Sequence, residues 1–357
     1  MENMEIKNNF WINKRVLVTG HTGFKGSWLC LWLQKLGANV YGISLKPKLK
    51  INMFDICSVS DEMNSIISDI RDFDSLSSTI KKIKPEIVFH MAAQSLVGYS
   101  YNYPLETYQT NLMGTVNLLE SIRYIDSVRV IINVTSDKCY ENKESFLPFK
   151  EEDYLCGRDP YSNSKSCSEL ATFSYRNSFF KNENSPGLAT ARAGNVIGGG
   201  DWAEDRLIPD FMRAAFNGTV LKVRNPKSIR PWQHVLEPIH GYLLLAQKIY
   251  FNPAIFSESW NFGPSDDSHN DVSWLINELN NNWSNKIEFE YVEKFFHEAN
   301  LLKLDSNKAK KLLNWQSKWN AKNTVAKVSN WYKSYMDNQD MLKYTLKEID
   351  YYEKSSF

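Results

Sequence analysis

The run Arg15-Val16-Leu17-Val18-Thr19 leads directly into Gly20-His21-Thr22-Gly23-Phe24-Lys25-Gly26, and Trp28 to Leu36 then reads as a helix ending at Gly37. Glycines at such a junction permit a tight turn, close approach of a pyrophosphate to backbone N–H groups, and tight packing of helix on strand. The spacing is Gly-x2-Gly-x2-Gly rather than Gly-x-Gly-x2-Gly, so the strand–turn–helix context carries the reading. It predicts a dinucleotide-binding loop formed by Gly20, Thr22, Gly23, Phe24, Lys25 and Gly26, with a purely structural glycine turn as the alternative. Lys25 either adds charge near the phosphates or is a solvated side chain.

Further short apolar runs follow at Asn39 to Leu45, Ile66 to Asp69, Ile87 to His90 and Val128 to Val134, alternating with helical stretches of which Leu105 to Ile122 is the longest. Continuous apolar strands separated by helices predict a parallel sheet buried on both faces, in a doubly wound α/β (Rossmann-type) domain. Beyond about Gly194 the texture changes. Gly198-Gly199-Gly200-Asp201-Trp202 is a loop, Leu207 to Ala215 a helix, Ser228 to Val235 extended, and the last third is rich in Asn, Lys and Trp. The chain is therefore divided into residues 1–193 plus about 236–263, binding the dinucleotide, and about 194–235 plus 264–357, a smaller mixed α/β substrate domain.

In this topology ligands lie at the carboxyl ends of the strands. The second strand ends at Ile43-Ser44-Leu45 with no carboxylate until Asp55. Ser44 can exchange one hydrogen bond with a ribose, and Lys46 and Lys48 would tolerate a 2′-phosphate, so these residues leave NAD and NADP open. Asp69-Ile70 follows the third strand, where a carboxylate can accept from an adenine amine, unless Asp69 is simply solvated. Ala92, Ala93 and Gln94 end the fourth strand with small residues against which a cofactor can lie. Asn111, a poor helix former inside the next helix, is a cofactor contact or an exposed polar residue.

Thr135-Ser136-Asp137-Lys138 ends the fifth strand. Thr135 is placed to hydrogen-bond a substrate hydroxyl, and Asp137-Lys138 is an acid–base pair at the sheet edge or a local loop ion pair. Downstream, Asp159 and Pro160 read as the N-cap and first position of a helix that carries Tyr161 and Lys165 on one face. A phenol normally keeps its proton until pH ~10, and an ammonium one turn away favours the phenolate. The pair is thereby a candidate base for a sugar or alcohol hydroxyl. Arg206 and Arg230 suit diphosphate oxygens because guanidinium forks match them, with structural salt bridges as the competing account.

The 42 basic and 41 acidic residues leave a formal charge of +1, which gives no polyanion-binding character and, without a basic block, no sign of nucleic acid. The 5 cysteines are scattered without metal spacing, and His297 has no ligand companions, so no metal is expected. Met1 to Phe10 lacks the apolar stretch of a signal peptide and no run reaches membrane-spanning length, so a soluble cytoplasmic protein is expected.

Assembled, Val18-Thr19-Gly20-His21-Thr22-Gly23-Phe24-Lys25-Gly26-Ser27-Trp28, Thr135-Ser136-Asp137-Lys138-Cys139-Tyr140, Asp159-Pro160-Tyr161-Ser162-Asn163-Ser164-Lys165, Arg192 to Trp202, Arg230-Pro231-Trp232-Gln233-His234-Val235 and Trp260-Asn261-Phe262-Gly263-Pro264 resemble the extended short-chain dehydrogenase/reductase superfamily. Within it they most resemble the CDP-glucose 4,6-dehydratase family. The resemblance implies NAD as cofactor and CDP-glucose, or another nucleotide-diphosphate hexose, as substrate. It implies catalysis by Thr135, Asp137, Lys138, Tyr161 and Lys165, and sugar-nucleotide binding by Gln94, Asn195, Arg206, Arg230 and His234, although His234 and His90 also read as satisfied structural histidines. In the implied mechanism Tyr161 takes the 4-hydroxyl proton, Asp137 protonates the departing 6-hydroxyl, and Lys138 stands where related dehydratases carry a glutamate base for C5. Such enzymes usually carry Pro and Arg where this chain has Ser95 and Gly98. Related enzymes pair through two helices, implying a homodimer or dimer of dimers through Leu105–Ile122 and the Tyr161 helix. A 4-epimerase shares Tyr161, Lys165 and the glycine loop but needs no acid–base pair after Thr135. A cofactor-binding regulatory protein without catalysis is a further reading.

Overall fold

The computed structural model describes residues 8–144, 146–182, 184–265, 268–292 and 301–356. His297 and most of the N-terminal stretch, residues 1–7, lie outside them. The strands β1 (Arg15–Thr19), β2 (Asn39–Ser44), β3 (Asn64–Ile67), β4 (Ile87–His90), β5 (Val130–Val134), β6 (Gly187–Ala193) and β7 (Ser259–Phe262) form a 7-stranded sheet. Their spatial order is β7-β6-β5-β4-β1-β2-β3, and every pairing is parallel.

Side-chain alternation along each strand feeds two separate cores. Val16 and Val18 of β1, Ile87 and Phe89 of β4, and Val130 and Ile132 of β5 point to one face. Leu17, Val88 and Ile131 point to the other, where they meet Leu76 and Ile80 of the helix Phe73–Ile83 and Leu118 of the helix Gly114–Ile122. Both faces are covered, as expected of a parallel sheet. The chain doubles back at β1, which is flanked by β2 and β4, and this switch point opens a crevice at the strands' carboxyl ends.

The stretch read as one helix from Leu105 to Ile122 is more elaborate. A separate helix, Val97–Asn102, precedes it, Pro104 opens the next helix (Pro104–Tyr108), and Gln109–Met113 is wound as a π-turn before Gly114–Ile122. The π-turn contains Asn111, whose side chain is drawn out of register with ordinary helical packing to meet Gln94 and Ser164.

The later segments build short, separate pairs around the crevice: Val196–Ile197 with Gln233–His234, Ile229–Pro231 with His269–Asp271, and Leu221–Val223 with Phe289–Tyr291. The helix Leu207–Asn217 closes the same side. The last two helices, Ala321–Met336 and Met341–Lys354, return towards the first half. Glu353 accepts from Trp32 Nε1 at 2.7 Å, and Tyr352 donates to the buried Glu237 at 2.6 Å. The sequence groups this tail with the substrate side; Tyr332 donates to the Asp201 carbonyl and packs on Trp202, and the last helix also reaches the helix Phe24–Lys35 that follows the glycine loop and the helix Leu236–Phe251.

Candidate active site

Gly20 closes the first turn with φ +75°, and a Cβ there would sit 2.7 Å from the Ala92 amide nitrogen. A Cβ on Gly26 would lie 2.2 Å from the Gly20 carbonyl oxygen. The loop therefore brings β1, the following helix and the end of β4 into backbone contact, which any side chain would prevent. The helix starts at Phe24 with Gly23 as an N-cap that offers no side-chain hydrogen bond, and its first turn holds no acidic residue. Its leading N–H groups thus have no side-chain acceptor, the arrangement that suits a pyrophosphate.

Around this loop, Ser44 at the end of β2 bonds Thr22 (Oγ–Oγ 2.9 Å), and no carboxylate takes its place: Asp55 is held by Asn52 instead. Lys46 and Lys48 line the same side of the cleft. Asp69 and Ile70 line it too, with Asp69 engaged by Arg71 through both carboxylate oxygens. Ala92, Ala93 and Gln94 form the floor at β4. Asn111 differs from its expected role. It is buried and acts as a clamp, accepting from the Gln94 N–H at 2.8 Å and donating to the Gln94 carbonyl at 2.9 Å and to Ser164 Oγ at 2.8 Å. Its amide is consumed in tying the β4 loop to the Tyr161 helix.

That helix, Pro160–Ser178, begins as expected: Asp159 caps it by accepting from the Ser162 N–H at 2.9 Å, and Pro160 occupies the first helical position. Tyr161 and Lys165 are both buried and both line the cleft. Lys165 donates to the Val134 carbonyl at 3.3 Å, so the ammonium is anchored on the end of β5. Burial lowers its pKa to about 8, with Glu169 opposing. Burial also drives the Tyr161 phenol up to about 12, while the Ser136 hydroxyl and the charge of Arg206 pull it down and Asp137 pushes it up. Lys165 is expected from the sequence to favour the phenolate; desolvation is the larger influence on the phenol, and the groups that offset it here are Ser136 and Arg206.

Thr135 is corrected as well. Its hydroxyl donates to the buried carboxylate of Glu169, away from Tyr161, and the hydroxyl that meets the phenol belongs to Ser136. Successive residues of extended backbone point to opposite sides, so Thr135 and Ser136 cannot both face Tyr161; Ser136 has φ −161° and ψ 155°. That alternation was the signal available in the sequence. Glu169 was missed too, although it follows Tyr161 and Lys165 at the same four-residue spacing.

Asp137 is 2% exposed, and its Oδ2 is buried with no hydrogen-bond partner. Burial raises its proton affinity, against the opposing charges of Lys138 and Arg230 and a hydrogen bond from Ser136. Lys138 lines the cleft beside it. Lys25 reaches the same region from the glycine loop: burial, then the charges of Lys165 and Arg206, lower its pKa to about 7, while Asp137 raises it. Its ammonium is therefore felt at the catalytic residues and not only at the expected phosphate position.

Arg206 donates to Asp201 at 2.9 Å and to Ser95 Oγ at 2.8 Å, bridging the later segments to the loop after β4. Ser95 occupies one of the positions where the family pattern departs, and it gives this arginine its second anchor. Gln94, Asn195, Arg206 and Arg230 all line the cleft. His234 does not. It is fully buried between Trp28 and Trp319, with Nε2 3.1 Å from Glu348 of the last helix, and is a core residue. Those remote partners hold its ring in the core, outside the cleft lining.

One continuous cleft of about 1070 Å³ runs from the glycine loop past Tyr161 to Lys222, Arg224 and Arg230. That volume is at the upper end for ligand sites and matches two extended ligands better than one small one. Among the described residues no group of three or more His, Cys, Asp or Glu is placed to hold a metal ion, and no helix is long and apolar enough to cross a membrane.

Comparison with known proteins places these features in context. Residues 17–328 match the family model for GDP-mannose 4,6 dehydratase. The CDP-glucose 4,6-dehydratase of Salmonella typhimurium is 49% identical over 97% of this chain and 98% of its own length. A UDP-glucose 4-epimerase of Mycoplasma pneumoniae is 26% identical over 85% of the chain and 91% of its own length. Among solved structures, dTDP-glucose 4,6-dehydratase from Bacillus anthracis in complex with NAD shares the fold with a TM-score of 0.76 at 20% identity, covering 93% of this chain and 99% of that one.

Proposed function

Because the chain belongs to the GDP-mannose 4,6-dehydratase family, within the extended short-chain dehydrogenase/reductase superfamily, we propose that it is a hydro-lyase converting CDP-D-glucose to CDP-4-keto-6-deoxy-D-glucose and water. The observation that carries the reading is Asp137, a buried carboxyl with an unpaired oxygen and raised proton affinity in the cleft beside Tyr161. An epimerase has no use for a protonated acid there, whereas elimination of a 6-hydroxyl requires one. Preference for CDP rests on the 49% identical relative.

The glycine cradle and the uncapped helix start fit NAD, which Gly20, Thr22, Gly23, Phe24, Lys25, Gly26, Ser44, Asp69, Ile70, Ala92 and Ala93 would hold together with Tyr161 and Lys165. Bound there, NAD would supply the hydride acceptor for the sugar C4 and the hydride donor for C6. Tyr161 takes the 4-hydroxyl proton, and Ser136, whose hydroxyl lowers the proton affinity of the phenol, steadies that hydroxyl. The resulting 4-ketone acidifies the C5 hydrogen. Lys138 releases its own proton to solvent before it accepts the one from C5, and Asp137 donates its own to the departing 6-hydroxyl, which leaves as water. Lys138 then returns a proton to C5. The proton gained by Tyr161 and the one lost by Asp137 balance through solvent. Arg206 and Arg230 supply positive charge for the diphosphate.

The test is incubation of the purified protein with CDP-glucose, UDP-glucose and GDP-mannose in parallel, with product masses recorded. Loss of one water from CDP-glucose is the expected outcome. An isomer of unchanged mass would overturn the dehydratase reading, and water loss from another nucleotide sugar alone would overturn the choice of CDP.

We also propose that two copies pair through the exposed apolar faces of neighbouring helices: Leu105 and Met113 on one side, Leu170 and Phe173 on the Tyr161 helix. Leu105 is 71% and Phe173 61% exposed, and such large side chains on adjoining helices suit an interface between copies.

A further inference from the structure

Glu169 lies one helical turn beyond Lys165 and two beyond Tyr161, on the same face of the same helix. It is 2% exposed, yet its carboxylate is fully occupied. Arg192 of β6 grips it bidentately, Nε at 2.9 Å and Nη2 at 2.8 Å. Thr190 donates to it at 2.7 Å, and Thr135 donates from the end of β5. Arg192 in turn donates to the Tyr140 hydroxyl at 2.7 Å, and Tyr140 to Asn261 of β7 at 2.7 Å. One anion thus joins the catalytic helix to three adjacent strands, immediately behind Ser136 and Asp137.

We infer that Glu169 is a positioning residue of the catalytic edge: through Thr135 it sets the direction in which Ser136 and Asp137 face the cleft, and it places a negative charge one helical turn from Lys165 on the same face. Three arguments support this. A buried carboxylate that served packing alone would be expensive, because a buried ion pair is often no more stabilising than apolar residues of the same shape. Thr135 has spent its proton on Glu169, so the β5 backbone at that residue has a single orientation, and the next side chain, Ser136, necessarily takes the opposite side. Finally, apart from the Val134 carbonyl that accepts from it, the groups around Lys165 do not favour its charge. Lys25 from the glycine-loop helix repels it, His90 of β4 is buried neutral, and Cys139 holds its proton because burial raises its pKa; Glu169 is the carboxylate that favours the charged form. On the far side, Glu169 faces Arg192 and Arg176.

The inference borrows from the dehydratase reading only its kinetic readout. The primary test needs no substrate. The pH dependence of acetic anhydride labelling at Lys165 is read by peptide mass spectrometry on wild type, Glu169→Gln, Glu169→Asp and Thr135→Val. Removing the charge should move the labelling midpoint down by about one pH unit in Glu169→Gln, and leave it near wild type in Glu169→Asp and Thr135→Val. The alkaline limb of kcat/KM should shift down with it. Thr135→Val should lower kcat about tenfold with little change in KM, since it frees the strand end without touching the substrate. If Glu169→Gln fails to fold, Glu169→Gln combined with Arg192→Met removes both charges and should still lower the midpoint. A midpoint unmoved in both neutral variants would overturn the role. Wild type that is inert on nucleotide sugars while the midpoint shifts would overturn the proposed function and leave the role of Glu169 standing.

Discussion

Ser136 donates to Asp137 Oδ1 at 3.1 Å and lowers the proton affinity of the Tyr161 phenol, while the adjacent Thr135 donates in the opposite direction to Glu169. Two consecutive hydroxyls at the end of β5 therefore serve different partners, one facing the chemistry and one facing the core. Ser136→Ala should lower kcat about 100-fold while the melting temperature falls by only a few degrees, because a group acting on the reacting phenol is lost together with one turn cap and one hydrogen bond to Asp137. A steady-state assay of water loss from CDP-glucose, alongside thermal unfolding, separates the two. A loss of stability matching the loss of rate would count against the assignment.

Asp137 is expected to govern water loss rather than oxidation. Asp137→Asn should slow release of water far more than formation of reduced cofactor, and equal loss of both would refute the acid role. Burial holds the Asp137 proton to higher pH than for an ordinary carboxyl, with Lys138 opposing. Lys138→Met removes that opposition, so the pH at which Asp137 loses its proton should rise in the variant. The pH profile of carbodiimide labelling at Asp137, read by peptide mass spectrometry without turnover, checks the direction.

Two histidines should make the fold sensitive to acid. Burial, with a smaller contribution from a nearby lysine, lowers His90 and His240 to about 3. Their pKa values are depressed in the folded state, so the unfolded chain binds these protons first. Their contribution is complete above pH ~6.5 and is lost as pH falls from there towards 3. His240→Gln should flatten the fall of melting temperature across that window, because His240 Nδ1 is buried without a partner and its loss removes a titrating group. An unchanged slope would contradict this.

Phe173→Asp, alone or with Leu170→Asp, should convert a self-associating species to a monomer in sedimentation velocity. Both residues stand exposed on the outer side of the Tyr161 helix, so the isolated fold should be little affected. A wild-type protein that is monomeric at micromolar concentration would dispose of the pairing proposal.

Much of the framework was legible because its signals are local. The alternation of β1, β4 and β5, the glycine spacing after β1, and the Asp159-Pro160 start of the catalytic helix each depend on residues a few positions apart. Asn111 and His234 were misplaced for the opposite reason. What occupies the Asn111 amide is Gln94 and Ser164, and what surrounds His234 is Trp28, Trp319 and Glu348, all remote in the chain. The return of the last helices onto the first half was hidden likewise, since Glu353 and Trp32 carry no mutual signature.

By itself, the sequence determined that a parallel sheet would form, that a dinucleotide loop would open it, and that Tyr161, Lys165, Asp137 and Lys138 would gather at its carboxyl edge. Only the tertiary structure decided which hydroxyl meets the phenol, that burial rather than Lys165 dominates its proton affinity, and that Glu169 stands behind the edge. The physical reason is that periodicity and turn chemistry are written in neighbouring residues. Desolvation and the partner of a buried polar group depend instead on segments that meet only after the chain has folded.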